Sequence, residues 1–231
     1  MFTALIPESD YWEKANQAFL DYRRGSLEGE RFIMFIKNLR ASIVTIVLFT
    51  FLTGVLYPLL VTGVAQLFFP GRANGSILKK DGKVLGSDLI GQPFSNPAYF
   101  WSRPSATNPV PYNGGLSTGS NYGPLNTSFL GGVRKRIRDL RDADPENSQA
   151  VPVDLVTSSA SGLDPHISIA AALYQVGRVA RARGMTVNQV RAYVELNTEK
   201  RALGFLGEPR VHVLKLNLAL DENQPQLESK R

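Results

Sequence analysis

Few residues in this chain could do chemistry. Of 231 residues none is cysteine and two are histidine, His166 and His212. That excludes a disulfide framework, a thiolate nucleophile, a cysteine-held zinc or iron–sulfur centre and a histidine-rich metal site. Gly115-Leu116-Ser117-Thr118-Gly119 has the spacing of a serine-hydrolase elbow. Such an elbow needs a strand before it and a helix after it, and the Pro-, Asn- and Gly-rich flanks supply neither. A P-loop is missing as well: Gly82-Lys83 is followed by Val84, and no glycine stands at the required spacing before it. No Asp-Lys-Thr-Gly phosphorylation motif occurs.

Two segments could bind rather than react. The hydroxyl-rich run Thr157 to Ser161 leads through Gly162 and Leu163 to Asp164-Pro165-His166. Such a run before a helix could hold an anion, but the Asp164 carboxylate would cap the free amides and repel phosphate. A capped helix start is therefore expected, with His166 a local hydrogen-bonding residue. Residues Pro165 to Glu199 also imitate a helix-turn-helix with Arg178, Arg181, Arg183 and Arg191. Three of those arginines fall on the first helix, so a solvated basic surface is the simpler reading. A membrane-anchored DNA-binding regulator is the alternative function, and no nucleic-acid partner is expected.

The elements that must carry these residues divide the chain sharply. Before residue 71 there are six Lys/Arg and six Asp/Glu; from there on there are 20 against 14, so the whole +6 lies in the C-terminal part. Between Arg40 and Arg72 nothing is charged, and Ala41 to Phe69 is a 29-residue apolar run. About 20 apolar residues cross the roughly 30 Å of hydrocarbon as a helix, so residues 39–70 read as a retained transmembrane helix, with Pro58 kinking it. Residues 1–38 form an N-terminal extension. Trp12, Ala15, Phe19 and Tyr22 have the spacing of a short amphipathic helix, while Met34 is an equally good start for the chain. Five cationic residues precede the span and four follow it at close range, which favours a cytoplasmic N-terminus only slightly.

Residues 71–220 read as one α+β domain, and residues 221–231 as a flexible tail. Asp81-Gly82 should turn a hairpin between Ser76–Leu78 and Val84-Leu85. From Pro93 to Pro124 the Gly and Pro content predicts extended loops packed by Tyr99, Phe100, Trp101, Tyr112 and Tyr122. Val133, Ile137 and Leu140 mark a helix, and Val151–Val156 a strand. Asp164 and Pro165 should open a helix that Gly184 stops, and Thr186 to Gln189 is a capping box for the next one. Val211 to Leu220 reads as a strand whose apolar face shifts between Val213 and Leu214, as at a bulge.

The ordered set of motifs resembles one family, the C subunit of the Kdp potassium-transporting ATPase. It runs from about Leu39 to Leu220 and includes Tyr57-Pro58-Leu59-Leu60, Arg103-Pro104-Ser105-Ala106-Thr107, Val151 to Thr157, Ser161 to Ile167, Gly204 to Pro209 and Leu216 to Leu220. The resemblance implies a single N-terminal transmembrane helix followed by one α+β extracytoplasmic domain, in the plasma membrane. Implied partners are a channel-like potassium-binding subunit, a P-type ATPase subunit and a small single-span subunit. No catalytic residue, metal ligand or firmly bound cofactor is expected here; ATP would belong to the ATPase subunit and potassium to the channel-like subunit. The family is described as a catalytic chaperone that raises ATP affinity, and its proposed nucleotide-contacting glutamine matches Gln175. An external domain cannot reach cytoplasmic ATP, so a structural role for Gln175 competes with that one. Small and polar residues favour helix contacts in lipid, which makes Thr53, Gly54, Thr62, Gly63 and Gln66 the expected docking residues. Departures from the family pattern are the long N-terminus, Gly177 and His212.

Overall fold

The computed structural model describes residues 8–222. The chain separates into two compact units, one ending at Pro70 and one beginning at Gly71. The first is helical throughout: α1 (Glu8–Phe51), a π-helical turn (Leu52–Leu56) and α2 (Tyr57–Phe68) follow without a break. Trp12, Phe19 and Tyr22 lie exposed on α1, so the expected short amphipathic helix is part of one long one. Over its apolar stretch this is the one helix among the described residues long and apolar enough to cross a membrane. The short α3 (Pro70–Ala73) straddles that division in the sequence.

The second unit mixes helices with two small sheets. Strands β1 (Ile77–Lys80) and β2 (Lys83–Ser87) form the expected hairpin, with Asp81 and Gly82 at positive φ in its turn. A long coil leads to α4 (Thr127–Ala143), capped by Asn126, whose side chain accepts the Phe129 N–H at 3.0 Å. The second sheet is antiparallel, in the order β3 (His166–Ser168), β5 (Arg210–His212), β4 (Thr198–Glu199). Against it lie α5 (Ile169–Arg183) and α7 (Val213–Glu222), and α6 (Val187–Leu196) packs on both helices. Ile167, Ala171, Val176, Val179, Val190, Val194, Val211, Leu216 and Leu220 form the core with Phe100. Ser168 caps α5, Gly184 ends it at φ +65°, and Thr186 with Gln189 closes the capping box of α6.

Four expectations are corrected. Val211–Leu220 is not a strand: β5 stops at His212 and the chain turns directly into α7. The shift at Val213–Leu214 is a change of period, because Val213, Leu216, Asn217, Leu220 and Asp221 are buried at helical spacing. Asp221 and Glu222 thus belong to α7, while residues 223–231 of the expected tail lie outside the described residues. The helix expected at Asp164-Pro165 starts at Ile169 instead. Asp164 Oδ1 accepts the His166 N–H at 3.0 Å, a local turn that feeds β3. Val151–Val156 contains a 3-10 turn at Val153–Leu155, started by Pro152 and fixed where the Asp154 carboxylate accepts the Ser168 N–H at 2.7 Å. Finally, Tyr122 is exposed, beside Phe129, whereas Tyr99 and Phe100 are buried.

Candidate functional site

Thr53, Gly54, Thr62, Gly63 and Gln66 are all helical and exposed. Thr53 and Gly54 lie in the π turn, closed by the Tyr57 N–H on Leu52 O. Pro58 follows immediately, near the start of α2. A proline ring clashes with the preceding turn's carbonyl and offers no N–H, and a π turn relieves that clash by widening the helix. Thr53 Oγ1 turns back to donate to Phe49 O at 2.6 Å. Gly54 and Thr62, eight residues apart, share a side of the helix, and Gln66 follows Thr62 by four. Gly63 lies round toward the other side. The five residues therefore do not make one stripe.

Gln175 lies mid-way along α5, 1% exposed. Its Oε1 accepts the Trp101 N–H at 2.8 Å, and its Nε2 donates to Trp101 O at 3.2 Å and to Ala171 O at 3.2 Å. Arg178 Nη2 donates to the same Oε1 at 2.7 Å. Asn217 of α7 treats the neighbouring residue alike, accepting the Phe100 N–H at 2.8 Å and donating to Phe100 O at 3.0 Å. Arg178 also donates to Pro97 O and Tyr99 O, and Arg183 Nε to Ala98 O. The segment Pro97–Trp101 is thus held like a strand, but its partners are side chains of α5 and α7. Arg178 stacks over the Trp101 ring at 4.1 Å and Arg183 over Tyr99 at 4.9 Å. Burial of its guanidinium pulls Arg178 down to about 10, which leaves it charged at neutral pH. Arg183 pairs with Asp221 at 2.8 Å, both side chains buried, and Tyr99 OH donates to Asp221 Oδ2 at 3.0 Å.

Both histidines meet in a second cluster, their ring centroids 5.0 Å apart. His212 Nε2 contacts Asp88 O at 2.9 Å and Asp88 Oδ1 at 3.0 Å, while its Nδ1 accepts the Lys215 N–H at 3.3 Å. That pattern fixes the neutral tautomer with the proton on Nε2. Burial pulls the His212 imidazole below its ordinary value, against the pull of Asp88. Burial works to raise Asp88, but the Lys215 ammonium at 2.5 Å and His212 hold it low. His166 reaches Asp164 and Glu199, each at 3.3 Å, and Arg103 reaches Asp164 at 3.1 Å. Asp164 and Glu199 are likewise lowered: burial opposes the shift, His166 and Arg103 outweigh it at Asp164, and Arg210, His166 and Lys215 at Glu199. No group of three His, Cys, Asp or Glu among the described residues has the arrangement of a metal site.

The remaining segments singled out in the sequence carry no reactive arrangement. Ser117 sits in coil and donates to Ser161 O at 3.2 Å, with no strand before it or helix after it. Arg178 and Arg183 are buried and Arg181 pairs with Asp144 and Glu146. That leaves Arg191 of the four arginines that imitated a DNA-binding surface. What sequence reading missed is the clamp formed by Asn217, Asp221, Arg178 and Arg183. The one available signal was polar residues falling at buried positions of a helical period.

The sequence family described as K+-transporting ATPase, c chain, matches residues 39–222. The potassium-transporting ATPase KdpC subunit of Methylococcus capsulatus is 58% identical over 186 residues, covering 80% of this chain and 98% of the relative. Its counterpart in Polaromonas naphthalenivorans is 61% identical over 191 residues, 82% of this chain and 97% of the relative. That of Herpetosiphon aurantiacus is 59% identical over 183 residues, 79% of this chain and 95% of the relative.

Proposed function

This chain belongs to the KdpC family, the c chains of K+-transporting ATPases, and on that premise we propose that it is an accessory subunit of an ATP-driven potassium import complex. What carries the reading is a match that spans both units, the apolar helix and the domain that follows it, at more than half identity. The partners are the channel-like potassium-binding subunit, the P-type ATPase subunit and the small single-span subunit. The helix anchors the chain in the plasma membrane with its N-terminus cytoplasmic. The domain, extracytoplasmic, stabilises the assembly and shapes potassium access to the channel-like subunit. Thr53, Gly54, Thr62, Gly63 and Gln66 dock the helix against partner helices. ATP and potassium are held by the partners.

In this reading Gln175 is structural. Its amide is used on both sides by the Trp101 backbone, and to meet a nucleotide it would have to release Trp101. The catalytic-chaperone role, in which Gln175 contacts ATP, requires a cytoplasmic domain. The absence of cysteine makes the topology directly measurable. Single cysteines placed at exposed Lys79 and Leu196 should react with a membrane-impermeant maleimide added to intact spheroplasts. Labelling only after permeabilisation would overturn the extracytoplasmic placement. Purification of the tagged full chain from membranes should recover the other subunits; a chain recovered alone would overturn the accessory-subunit reading.

A further inference from the structure

A groove of about 400 Å³ opens beside the first turns of α4, walled on its far side by the loops around Thr118 and Ser158. We propose that this groove binds a phosphate group, a site separate from the subunit contacts proposed above. Arg136 is the one charged residue lining it, and no carboxylate lines it. Its field therefore selects an anion. Arg136 Nη1 donates to Val156 O at 3.0 Å, which fixes the guanidinium and leaves its remaining N–H groups free for a ligand. Ser120, Ser128 and Ser158 line the same groove, their hydroxyls making no hydrogen bond within the described residues. A carboxylate is satisfied by a guanidinium alone. Three further donors suit the extra oxygens of a tetrahedral phosphate.

The walls are rigid. Thr118 N–H donates to Ser161 O at 3.0 Å, and a Cβ on Gly119 would come within 2.9 Å of Ala160 O. Gly162, at φ +68°, faces Thr118 O so closely that a Cβ there would stand 2.6 Å away. Only glycines let these two loops approach, and that approach holds Ser120 and Ser158 in place. Tyr122 and Phe129, ring centroids 6.3 Å apart, add an apolar wall for the organic part of a phosphate ester. That ester is either a small soluble phosphate or the headgroup of an anionic phospholipid. The chemistry at Arg136 is the same for both.

Hydrogen exchange on the full chain distinguishes them. One arm titrates inorganic phosphate and glycerol 3-phosphate onto the chain in detergent micelles. The other compares phosphatidylglycerol with phosphatidylcholine nanodiscs in phosphate-free buffer. Slowed exchange over residues 127–132 in the first arm assigns a soluble ligand; slowing in phosphatidylglycerol discs assigns a lipid headgroup. In whichever arm responds, Arg136→Gln should weaken binding about tenfold or more, the loss expected for a charged hydrogen-bond partner. Ser128→Ala, which leaves the Val156 contact intact, should weaken it by a smaller factor and keeps the test decisive if Arg136→Gln fails to fold. The proposal is overturned if neither arm slows exchange, if a folded Arg136→Gln binds as the parent does, or, where Arg136→Gln does not fold, if Ser128→Ala binds as the parent does.

Discussion

Gln175 pairs its side-chain amide with both backbone groups of Trp101, 74 residues away, accepting the N–H at 2.8 Å and donating to the carbonyl at 3.2 Å. The arrangement is that of a strand neighbour, supplied by one residue of a helix. Gln175→Ala should therefore destabilise the domain, since each buried backbone group left unpaired costs about 1–3 kcal/mol. Urea unfolding of the full chain in detergent, followed by Trp fluorescence, would read this as a lower midpoint. If Gln175 contacts nucleotide instead, the variant keeps its midpoint and the assembled complex loses ATP affinity.

The Arg183–Asp221 pair is fully buried, with Tyr99 OH as a third member. Removing one charge leaves the other unpaired away from water, at a cost of about 3–5 kcal/mol. Asp221→Ala should accordingly be among the most damaging changes in the domain, and the double variant Arg183→Met/Asp221→Leu much milder. Thermal unfolding of both would check it; equal losses would show that the pair's charges are not the source.

The pH dependence follows from His212. Its folded-state value lies below the ordinary imidazole value, so the neutral ring is the one that fits the fold. Stability on this account is full above about pH 6.5, the unfolded value, and falls as pH drops from there toward the folded one. The depressed carboxylates Asp88, Asp164 and Glu199 add a second loss, which starts as pH falls through about 4. His212→Asn should flatten the first region and leave the second. Unfolding midpoints measured across both regions would show it, and an unchanged slope in the first would remove His212 as its cause.

In the span, Gly54 and Thr62 lie on one side and Gly63 round toward the other. Gly54→Leu and Thr62→Leu should each reduce the yield of partner subunits recovered with the chain several-fold, by blocking close helix approach. Leu67→Ala, which removes bulk at an exposed position, should leave the yield unchanged. Quantitative blotting of the purified complex is the readout.

The span, the hairpin, α4 and the capping box of α6 were legible because each has a local signal: hydropathy, an Asp-Gly turn, a helical apolar period, a Thr–Gln cap. The start of α5 was not, because Asp164-Pro165 serves a turn into a strand as well as it serves a helix, and Ser168 is the real cap. α7 was hidden by alternation: Val211-His212-Val213 continues a strand pattern for one residue past the point where the helix begins. Gln175 was singled out, but its role depends on Trp101, which no local pattern could connect to it. Asn217 and Asp221 carried even less signal, since a polar residue near the end of an apolar run usually faces water.

The grip on Pro97–Trp101 also sets an order of events during synthesis. Part of it comes from Asn217 and Asp221, more than a hundred residues downstream. Until α7 has left the ribosome, Phe100 has neither of its amide partners and Arg183 has no counter-charge. The domain therefore closes only after nearly all of the described chain is made, and any product that stops short of α7 leaves an aromatic segment open to quality-control proteases.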